Sequence, residues 1–340
     1  MTHLPNVRYL CGFTGSAGIL LVESAKSTLF TDSRYTLQVQ QETAGARVAV
    51  EIVRKGLFPA IGDALKNSSP RGRLRIGYSP EQLTVAQRNA LGRDAGRSAR
   101  WVDAGNAIEK LRAVKDFTEL AAMREAAALI SRVFRGALKR IKPGISELDL
   151  AAEIEYSIKR KGAEGPSFET IVASGWRSAW PHARPTSKLL RKNELVVLDQ
   201  GAILRGYSSD MTRTIFLGRA STRVRRLYGA VLEAQEAAKR EIRPGVLAAD
   251  VDAAARRVLR RRGLGRCFAH STGHGLGLEV HEIPRLGKGD KTRLEEGMVV
   301  TVEPGVYLEG FGGIRIEDDV LVTRGGCADL TTAPRELLEL

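Results

Sequence analysis

The chain has 340 residues, a formal net charge of +14 and a sequence pI of about 10.0, with 43% hydrophobic and 27% charged residues. This balance is typical of a globular protein rather than a disordered one, and the length suggests about two domains of ~150 residues each. No apolar run approaches the ~20 residues that a membrane span needs, and Pro5, Asn6 and Arg8 interrupt any apolar signal core. The three cysteines lie far apart, which excludes a disulfide scaffold and predicts a cytoplasmic protein.

The first hundred residues alternate between short apolar runs and polar segments, which predicts strands alternating with helices. The apolar runs are Ala17–Val22, Leu29–Thr31, Val48–Val53 and Leu74–Tyr78. Arg34–Glu42 is compatible with a helix, and a further helix is expected to begin at Ser79-Pro80-Glu81, because proline suits the first helical turn. The pattern predicts a smaller α/β domain over residues 1–108 and a second domain over residues 109–340.

The second domain contains an internal repeat. Ile141-Lys142-Pro143-Gly144-Ile145 recurs 101 residues later as Ile242-Arg243-Pro244-Gly245-Val246, and Lys159–Gly162 then matches Arg260–Gly263. A helix is expected over Asp116–Arg140, and each copy has the pattern of two helices joined by a Pro-Gly turn. Two similar halves predict a pseudo-two-fold arrangement with a site between them.

Four carboxylates of the second domain adjoin strongly apolar runs: Asp199, Asp210, Glu303 and Glu317. We expect each of them to lie where a buried strand leaves the core. Four acids directed at one place repel one another unless cations hold them. The pattern therefore suggests a cation site, although a single acid after a strand is more often a cap or turn residue.

Four of the five histidines lie in segments rich in glycine or proline. His270, His274 and His281 fall within twelve positions, and His182 lies in Pro181–Pro185. The glycines of 270–282 disfavour a helix, so this segment is predicted to be a loop whose backbone approaches a ligand. Together with the acids, these imidazoles indicate a metal site suited to Mn²⁺, Co²⁺, Fe²⁺ or Zn²⁺.

With these residues assembled, the chain resembles the creatinase-like metallopeptidases with a pita-bread catalytic domain, in particular the branch of Xaa-Pro aminopeptidases and Xaa-Pro dipeptidases (prolidases). The motifs that carry the resemblance in the N-terminal part are Asn6–Leu10, Gly12–Ser16 and Thr31–Tyr35, and Leu111-Arg112-x-x-Lys115 resembles the family's domain junction. The implied fold is α+β: a pita-bread catalytic domain with an internal pseudo-two-fold repeat, preceded by a smaller α/β domain. Fewer residues precede Arg8 than in family members, so this smaller domain is expected to lack its first strand.

The resemblance also implies a ligand set for two divalent metal ions. Asp199 and Asp210 match the family's two aspartates, His274 its metal histidine, and Glu303 and Glu317 its two glutamates. By the same resemblance, Asp199 holds one ion, His274 and Glu303 hold the other, and Asp210 and Glu317 bridge both. Mn²⁺ is the expected metal, and Co²⁺ or Zn²⁺ also suits these ligands.

The implied reaction is hydrolysis of the peptide bond before proline. Two adjacent cations lower the pKa of a bridging water, and the resulting hydroxide attacks the carbonyl. By family analogy Glu303 shuttles the proton, and His270 and His281 orient the substrate and stabilise the oxyanion. His182 is expected to line the cleft, and Arg315 to pair with a ligand carboxylate or with the substrate.

Several functions share this chemistry. The N-terminal motifs favour an Xaa-Pro aminopeptidase, which acts on peptides with proline in second position. The alternative is a prolidase, which cuts only dipeptides and needs a cation in the cleft for the substrate's terminal carboxylate. An inactive pita-bread module that binds peptides or nucleic acid is disfavoured by the complete ligand set. We expect a homodimer, and no specific nucleic-acid partner, because few aromatic residues accompany the arginines.

Overall fold

The computed structural model describes residues 1–68, 74–95 and 99–340, and the chain divides into two compact units, Met1–Leu111 and Arg112–Leu340. Within the described ranges, no helix has the length and apolar character that crossing a membrane requires.

The N-terminal unit is built from short strands and helices in alternation, as the sequence predicts. Its strands are β1 (Gly18–Val22), β2 (Ser27–Asp32), β3 (Ala49–Val53), β4 (Arg75–Tyr78) and β5 (Arg100–Asp103). Its helices are α1 (Leu4–Cys11), α2 (Thr36–Glu42), α3 (Leu57–Ser68) and α4 (Val85–Ala95), and α5 (Ala107–Ala113) follows. Strand β2 pairs with β1 in antiparallel and with β3 in parallel orientation, and β4 pairs in parallel with β5.

The helix expected to begin at Ser79-Pro80-Glu81 begins later, so this prediction is wrong. Helix α4 starts at Val85, and Ser79 instead accepts hydrogen bonds from the backbone of Gln82 and Leu83 in a turn. The reason is the cap at Thr84, whose side chain accepts from the backbone of Gln87 while the side chain of Gln87 accepts from the backbone of Thr84. This reciprocal pair satisfies the first backbone donors of the helix.

The second unit contains four long helices and thirteen short strands among its described residues. The helices are α6 (Phe117–Ala137), α7 (Glu147–Arg160), α8 (Thr222–Glu241) and α9 (Ala248–Arg261). The strands of the first half are β6 (Gly165–Pro166), β7 (Ile171–Ser174), β8 (Glu194–Gln200), β9 (Ala202–Leu204), β10 (Tyr207–Ser208) and β11 (Met211–Leu217). Those of the second half are β12 (Gly273–Gly275), β13 (Glu282–Leu286), β14 (Val299–Val302), β15 (Gly305–Leu308), β16 (Gly312–Arg315), β17 (Asp318–Thr323) and β18 (Gly326–Asp329).

Three of the four long helices begin where the sequence provides a side-chain cap, and all four bury one apolar face. Asp116 caps α6 with a complete capping box, and Ser146 and Ser221 cap α7 and α8. The apolar faces of α8 and α9 pack together in one core with β14 and β17, and those of α6 and α7 share a second core with β8 and β11. The two helix pairs thus each support one antiparallel sheet, with strand orders β11-β8-β7 and β13-β12-β14-β17-β18.

The internal repeat is retained in the hydrogen bonding of the two Pro-Gly turns. Gly144 donates to the carbonyl of Leu190, whose own amide donates back to Ile145. In the second half, Gly245 donates to the carbonyl of Leu294, and the amide of Leu294 donates to Val246. Both glycines have a left-handed backbone, with φ of 93° and 86°, which glycine adopts without a steric penalty. The repeat predicted from the sequence is therefore present in the structure as two turns with the same hydrogen bonds and backbone conformation.

Candidate metal centre

Strand ends of the second unit carry the acids and the histidine of the predicted ligand set. Asp199 lies in β8, Asp210 directly precedes β11, and β11 pairs with β8 so that Thr212 faces Asp199. His274 is the central residue of β12. The two glutamates follow strands: Glu303 follows β14, and Glu317 lies between β16 and β17.

Most of the segment 270–282 is the loop that the sequence predicts, but Gly273–Gly275, around His274, form the short strand β12. Gly273 and Gly275 flank this histidine, and a Cβ on Gly273 would lie 1.9 Å from the carbonyl oxygen of Thr301. A Cβ on Gly275 would lie 2.2 Å from the carbonyl oxygen of Ile283. The glycines therefore allow β12 to fit closely between β13 and β14, and the backbone approach expected of them is made to neighbouring strands.

Three of the predicted ligands converge on one point. Asp210, His274 and Glu317 each offer a ligand atom, and these atoms all lie within 4.8 Å of one another. Nε2 of His274 is 3.8 Å from Oδ2 of Asp210 and 3.5 Å from Oε1 of Glu303. Asp199 reaches the same cleft, where Oδ1 of Asp199 and Oδ1 of Asp210 are buried with no hydrogen-bond partner among the described residues.

The hydrogen bonding of His274 identifies which ring nitrogen is available. Its Nδ1 lies 3.0 Å from the carbonyl oxygen of Gly275, so this nitrogen carries the proton and donates it. Burial, followed by the charge of His281, lowers the pKa of His274 to about 4, so the ring is neutral at pH 7. Nε2 therefore presents a lone pair to the oxygens of Asp210 and Glu303, an arrangement that a cation stabilises.

The pKa values of the clustered carboxyl groups also indicate that a cation would stabilise this site. Burial, reinforced by Glu317 and Asp199, raises the pKa of Asp210 well above its usual range. Burial likewise raises the pKa of Glu317 far above normal, with Glu303 and Asp199 adding to the effect. Burial raises the pKa of Glu303 to about 7 against the lowering influence of Arg315. Buried carboxylates that repel one another are stabilised by divalent cations, so these residues fit a metal site.

One fixed cation, Arg315, already borders the cluster. Its Nη2 donates to Oδ2 of Asp199 at 2.5 Å, and its Nε donates to Oγ1 of Thr212 at 3.0 Å. The hydroxyl of Thr212 in turn donates to Oε2 of Glu317 at 2.6 Å. Arg315 thus contacts one predicted ligand directly and a second through Thr212. This fixes one oxygen of each carboxylate, and the other oxygen of Asp199 has no hydrogen-bond partner in the described part of the chain.

Tyr307, which the sequence motifs do not single out, connects Arg315 to His270. Nη1 of Arg315 donates to the Tyr307 hydroxyl at 2.8 Å, so the hydroxyl proton is free to be donated to Nε2 of His270, also at 2.8 Å. Nδ1 of His270 then carries the ring proton and donates it to the carbonyl of Ser271 at 2.8 Å. Burial, followed by Arg315, lowers the pKa of His270 to about 4. Both ring nitrogens of His270 are therefore used within the protein.

A cleft of about 310 Å³ lies over the cluster. Eight predicted site residues line it: His182, Asp199, Asp210, His274, His281, Glu303, Arg315 and Glu317. His270 does not line the cleft, but its Nδ1 is 3.8 Å from Oε2 of Glu303. Phe168, Ile171 and Val280 form an apolar wall, and Glu169 and Arg184 carry opposite charges beside it. No periodic pattern or motif in the sequence indicated these five additional lining residues, three apolar and two charged.

His281 is fixed by the residue that follows it. Both oxygens of Glu282 are bound by buried cations, Oε1 by Nη2 of Arg112 at 2.5 Å and Oε2 by Nζ of Lys115 at 3.2 Å. The His281 ring packs against His274, with ring centroids 4.3 Å apart. The motif Leu111-Arg112-x-x-Lys115 therefore has a definite function in this unit, because two of its residues anchor the strand that begins after His281.

Comparison with known proteins assigns this arrangement to a family. Residues 121–324 match the model of metallopeptidase family M24, and residues 1–114 match that of the creatinase/prolidase N-terminal domain. The chain belongs to metallopeptidase family M24. The predicted pita-bread family, and with it a metal-dependent peptidase rather than a binding module, is confirmed at this level.

Three relatives align with nearly the whole chain. The Xaa-Pro dipeptidase of Pyrococcus furiosus is 37% identical over 335 residues, which cover 98% of this chain and 92% of that protein. The structure of an Xaa-Pro dipeptidase from Bacillus anthracis is 38% identical, with a TM-score of 0.93 and coverage of 100% and 94%. The X-Pro aminopeptidase of Thermotoga maritima is 37% identical, with a TM-score of 0.90 and coverage of 99% and 94%.

Proposed function

We propose that this protein is an Xaa-Pro dipeptidase, which hydrolyses the bond between the first residue and proline in a dipeptide. The observation that carries the proposal is the similarity, at 37% and 38% identity over nearly the whole chain, to two proteins described as Xaa-Pro dipeptidases. The aminopeptidase function favoured by the N-terminal sequence motifs is less well supported. It remains the second candidate because the X-Pro aminopeptidase of Thermotoga maritima is 37% identical.

The proposed metal ligands are Asp199, Asp210, His274, Glu303 and Glu317, which would hold two divalent ions, with Mn²⁺ as the first choice. Their support is chemical: lone pairs of His274, Asp210 and Glu303 face one another, and buried oxygens of Asp199 and Asp210 have no protein partner among the described residues. When bound, such ions supply a Lewis acid for the scissile carbonyl and activate the attacking water.

Glu303 is the proposed proton carrier. In the metal-free protein burial raises the pKa of Glu303 to about 7, and a bound cation would lower it. The carboxylate would then accept a proton from water and pass it to the leaving proline nitrogen. Its Oε1 lies 3.4 Å from the hydroxyl of Thr301, and its Oε2 lies 3.8 Å from His270, so the carboxylate is held on both sides.

The family resemblance gives two histidines for the oxyanion, His270 and His281, and we retain only His281 in this role. His270 has committed both ring nitrogens to Tyr307 and Ser271, so it positions Glu303 and does not donate to the substrate. His281 and His182 line the cleft, and we assign the substrate-facing hydrogen bonds to them. Such preorganised donors are worth a few kcal/mol in the transition state.

The cleft wall offers complementary contacts to an Xaa-Pro dipeptide. Phe168, Ile171 and Val280 present an apolar surface of the kind that a proline ring contacts. A dipeptide also brings a carboxylate next to proline, and the described cleft lining contains two arginines, Arg184 and Arg315. The Arg315 side chain is 4% exposed and already bonded to Asp199, whereas that of Arg184 is 82% exposed and pairs with Glu169 at the surface. We therefore assign the substrate carboxylate to Arg184.

The experiment that tests the proposal compares two substrates with the metal-loaded protein. A Met-Pro dipeptide and a Met-Pro-Ala tripeptide are incubated with protein and Mn²⁺, and released methionine is quantified. We expect turnover of the dipeptide and little of the tripeptide. Tripeptide turnover at an equal or higher kcat/KM would instead make the protein an aminopeptidase. Turnover of neither substrate would refute both. The homodimer, which the family resemblance implies, is tested on the same sample by sedimentation equilibrium.

A further inference from the structure

We propose that two buried carboxylate–arginine pairs, one on each half of the repeat, are positioning residues for two histidines of the site, His270 beside Glu303 and His182 in the cleft. The pair Asp252–Arg256 on α9 holds the segment that carries His270. The pair formed by Glu147, on α7, and Arg177 holds the segment that carries His182. The inference rests on the proposed function, because it assigns a role in that hydrolysis to residues outside the cleft.

Asp252 and Arg256 lie one helical turn apart and act as one unit. Nε of Arg256 donates to Oδ2 of Asp252 at 2.7 Å, and the two side chains are 11% and 1% exposed. The second oxygen, Oδ1, accepts from the backbone amide of Thr272 at 3.2 Å and from its hydroxyl at 2.8 Å. The guanidinium of Arg256 also donates hydrogen bonds to the backbone carbonyls of Phe268 and His270, at 3.3 and 2.5 Å. The pair therefore grips the chain on both sides of His270.

The position of the His270 segment affects the residues proposed to carry out hydrolysis. Nε2 of His270 accepts a hydrogen bond from the Tyr307 hydroxyl, and Nδ1 of His270 lies 3.8 Å from Oε2 of Glu303. A shift of the His270 backbone would move the ring relative to both partners. A misplacement of about 1 Å at a catalytic group can reduce the rate about 100-fold. Asp252 and Arg256 touch neither the substrate cleft nor the proposed ligands, so any effect on hydrolysis has to pass through the segment they hold.

The first half of the repeat contains an analogous pair. Glu147 is fully buried at the start of α7, and its Oε2 accepts from Nε of Arg177 at 3.0 Å. The same oxygen accepts from the amide and hydroxyl of Thr186 at 3.1 and 2.9 Å. Nη2 of Arg177 donates to the carbonyl of Arg184 at 2.5 Å. Thr186 and Arg184 follow His182 closely, so this pair holds the segment that presents His182 to the cleft.

The two pairs make the same set of hydrogen bonds, and the stability of the fold alone does not require this set. Each joins a helix-borne acid to the amide and hydroxyl of a threonine and to a backbone carbonyl beside a histidine. Replacing a buried ion pair by apolar residues is often neutral or stabilising, so such a pair is weak evidence for stability. What apolar packing cannot provide is a fixed direction for a Gly- or Pro-rich segment that has few side chains to pack.

The test is a set of double-mutant cycles. Asp252→Asn keeps the shape and one acceptor but removes the charge that holds Arg256, and it is made in the wild type, in His270→Ala and in His182→Ala. Glu147→Gln is made in the same three backgrounds. The matched controls are Arg257→Gln on α9 and Glu153→Gln on α7, whose side chains are exposed. Steady-state kcat and KM, melting temperature and bound metal are measured for every variant at 25 °C.

We expect Asp252→Asn and Glu147→Gln each to lower kcat about 10- to 100-fold while KM and metal content stay near the wild-type values, and we expect the two control variants to keep the wild-type kcat. The loss from Asp252→Asn disappears in His270→Ala but persists in His182→Ala, and the loss from Glu147→Gln shows the reverse pattern. A purely structural role would lower the melting temperature and give the same loss in both backgrounds, which overturns the inference. Unchanged kcat also overturns it.

If Asp252→Asn or Glu147→Gln does not fold, Arg256→Lys and Arg177→Lys replace them, since lysine keeps the charge but cannot reach the acid and the carbonyl together. If these variants also fail to fold, the pairs are structural and the inference is wrong. Failure of the proposed function is distinguishable, because the wild type itself would then leave Met-Pro uncleaved.

Discussion

Replacing Asp210 by alanine separates metal binding from folding in this protein. The Asp210 side chain is buried, its Oδ1 has no hydrogen-bond partner in the described part of the chain, and burial together with Glu317 and Asp199 raises its pKa well above normal. In the metal-free protein this carboxylate therefore contributes repulsion rather than a bond. We expect Asp210→Ala to fold with a metal-free melting temperature no lower than that of the wild type. Asp210→Asn serves as the control of equal shape.

The response to metal should differ sharply between the two proteins. A ligand that binds only the folded state stabilises it by about 2.7 kcal/mol at 100 times its Kd. In a domain of about 150–250 residues, each kcal/mol raises Tm by about 2–4 °C, and the unit Arg112–Leu340 falls in that size range. Mn²⁺ should therefore raise the Tm of the wild type by about 5–11 °C and leave both Asp210 variants almost unchanged.

Differential scanning calorimetry with and without Mn²⁺ measures this shift, and hydrolysis of Met-Pro is followed on the same samples. Both Asp210 variants should lack activity while they retain the wild-type circular dichroism spectrum. An equal Tm rise in the wild type and in Asp210→Ala would refute the assignment of Asp210 as a ligand. Full activity of Asp210→Ala would refute the proposed mechanism as well.

Three further predictions concern the cleft and its supports. Arg184→Ala should raise KM for Met-Pro about 10- to 100-fold, because a charge-assisted hydrogen bond contributes about 1.5–3 kcal/mol. Turnover of the uncharged Met-Pro amide should stay the same, and an equal effect on both substrates would exclude a contact with the carboxylate. Arg112→Met should lower the free energy of unfolding by about 3 kcal/mol in urea titrations, because it leaves the buried Glu282 with one cation instead of two. An unchanged urea midpoint would show that Lys115 alone is enough to neutralise Glu282. Gly273→Ala should abolish Mn²⁺ binding in calorimetric titrations, because its Cβ would lie 1.9 Å from the Thr301 carbonyl oxygen, and wild-type affinity would show that β12 can move.

The sequence predicted the fold and the cluster well because both depend on spacing along the chain. The recurring Pro-Gly turn indicated two related halves, and the two turns indeed make the same hydrogen bonds to Leu190 and Leu294. Asp210, His274 and Glu317 converge as expected from acids and a histidine beside buried strands. A spacing pattern of this kind predicts the structure because side chains alternate between the two faces of a strand, so the position of a residue in a strand determines the face on which its side chain lies.

Other features could not be predicted because they depend on contacts between distant segments. Tyr307 acquires its role only when β15 and β16 bring it to Arg315 and His270. The glycines around His274 indicated a loop, since glycine usually disfavours regular structure, but here they permit a tightly packed strand. The aminopeptidase preference came from motifs in the N-terminal unit, whereas Arg184, to which we assign the carboxylate of a dipeptide, has no sequence signature.

The two halves of the repeat contribute unequal and complementary parts of the centre. Asp199, Asp210 and His182 precede the junction between β11 and α8, whereas His274 and the two glutamates follow it. A fragment that carries one half therefore has an incomplete ligand set. If the chain is cut at Arg219, between β11 and α8, hydrolysis should return only when the two fragments associate, so the protein could serve as a split reporter whose activity measures the encounter of its parts.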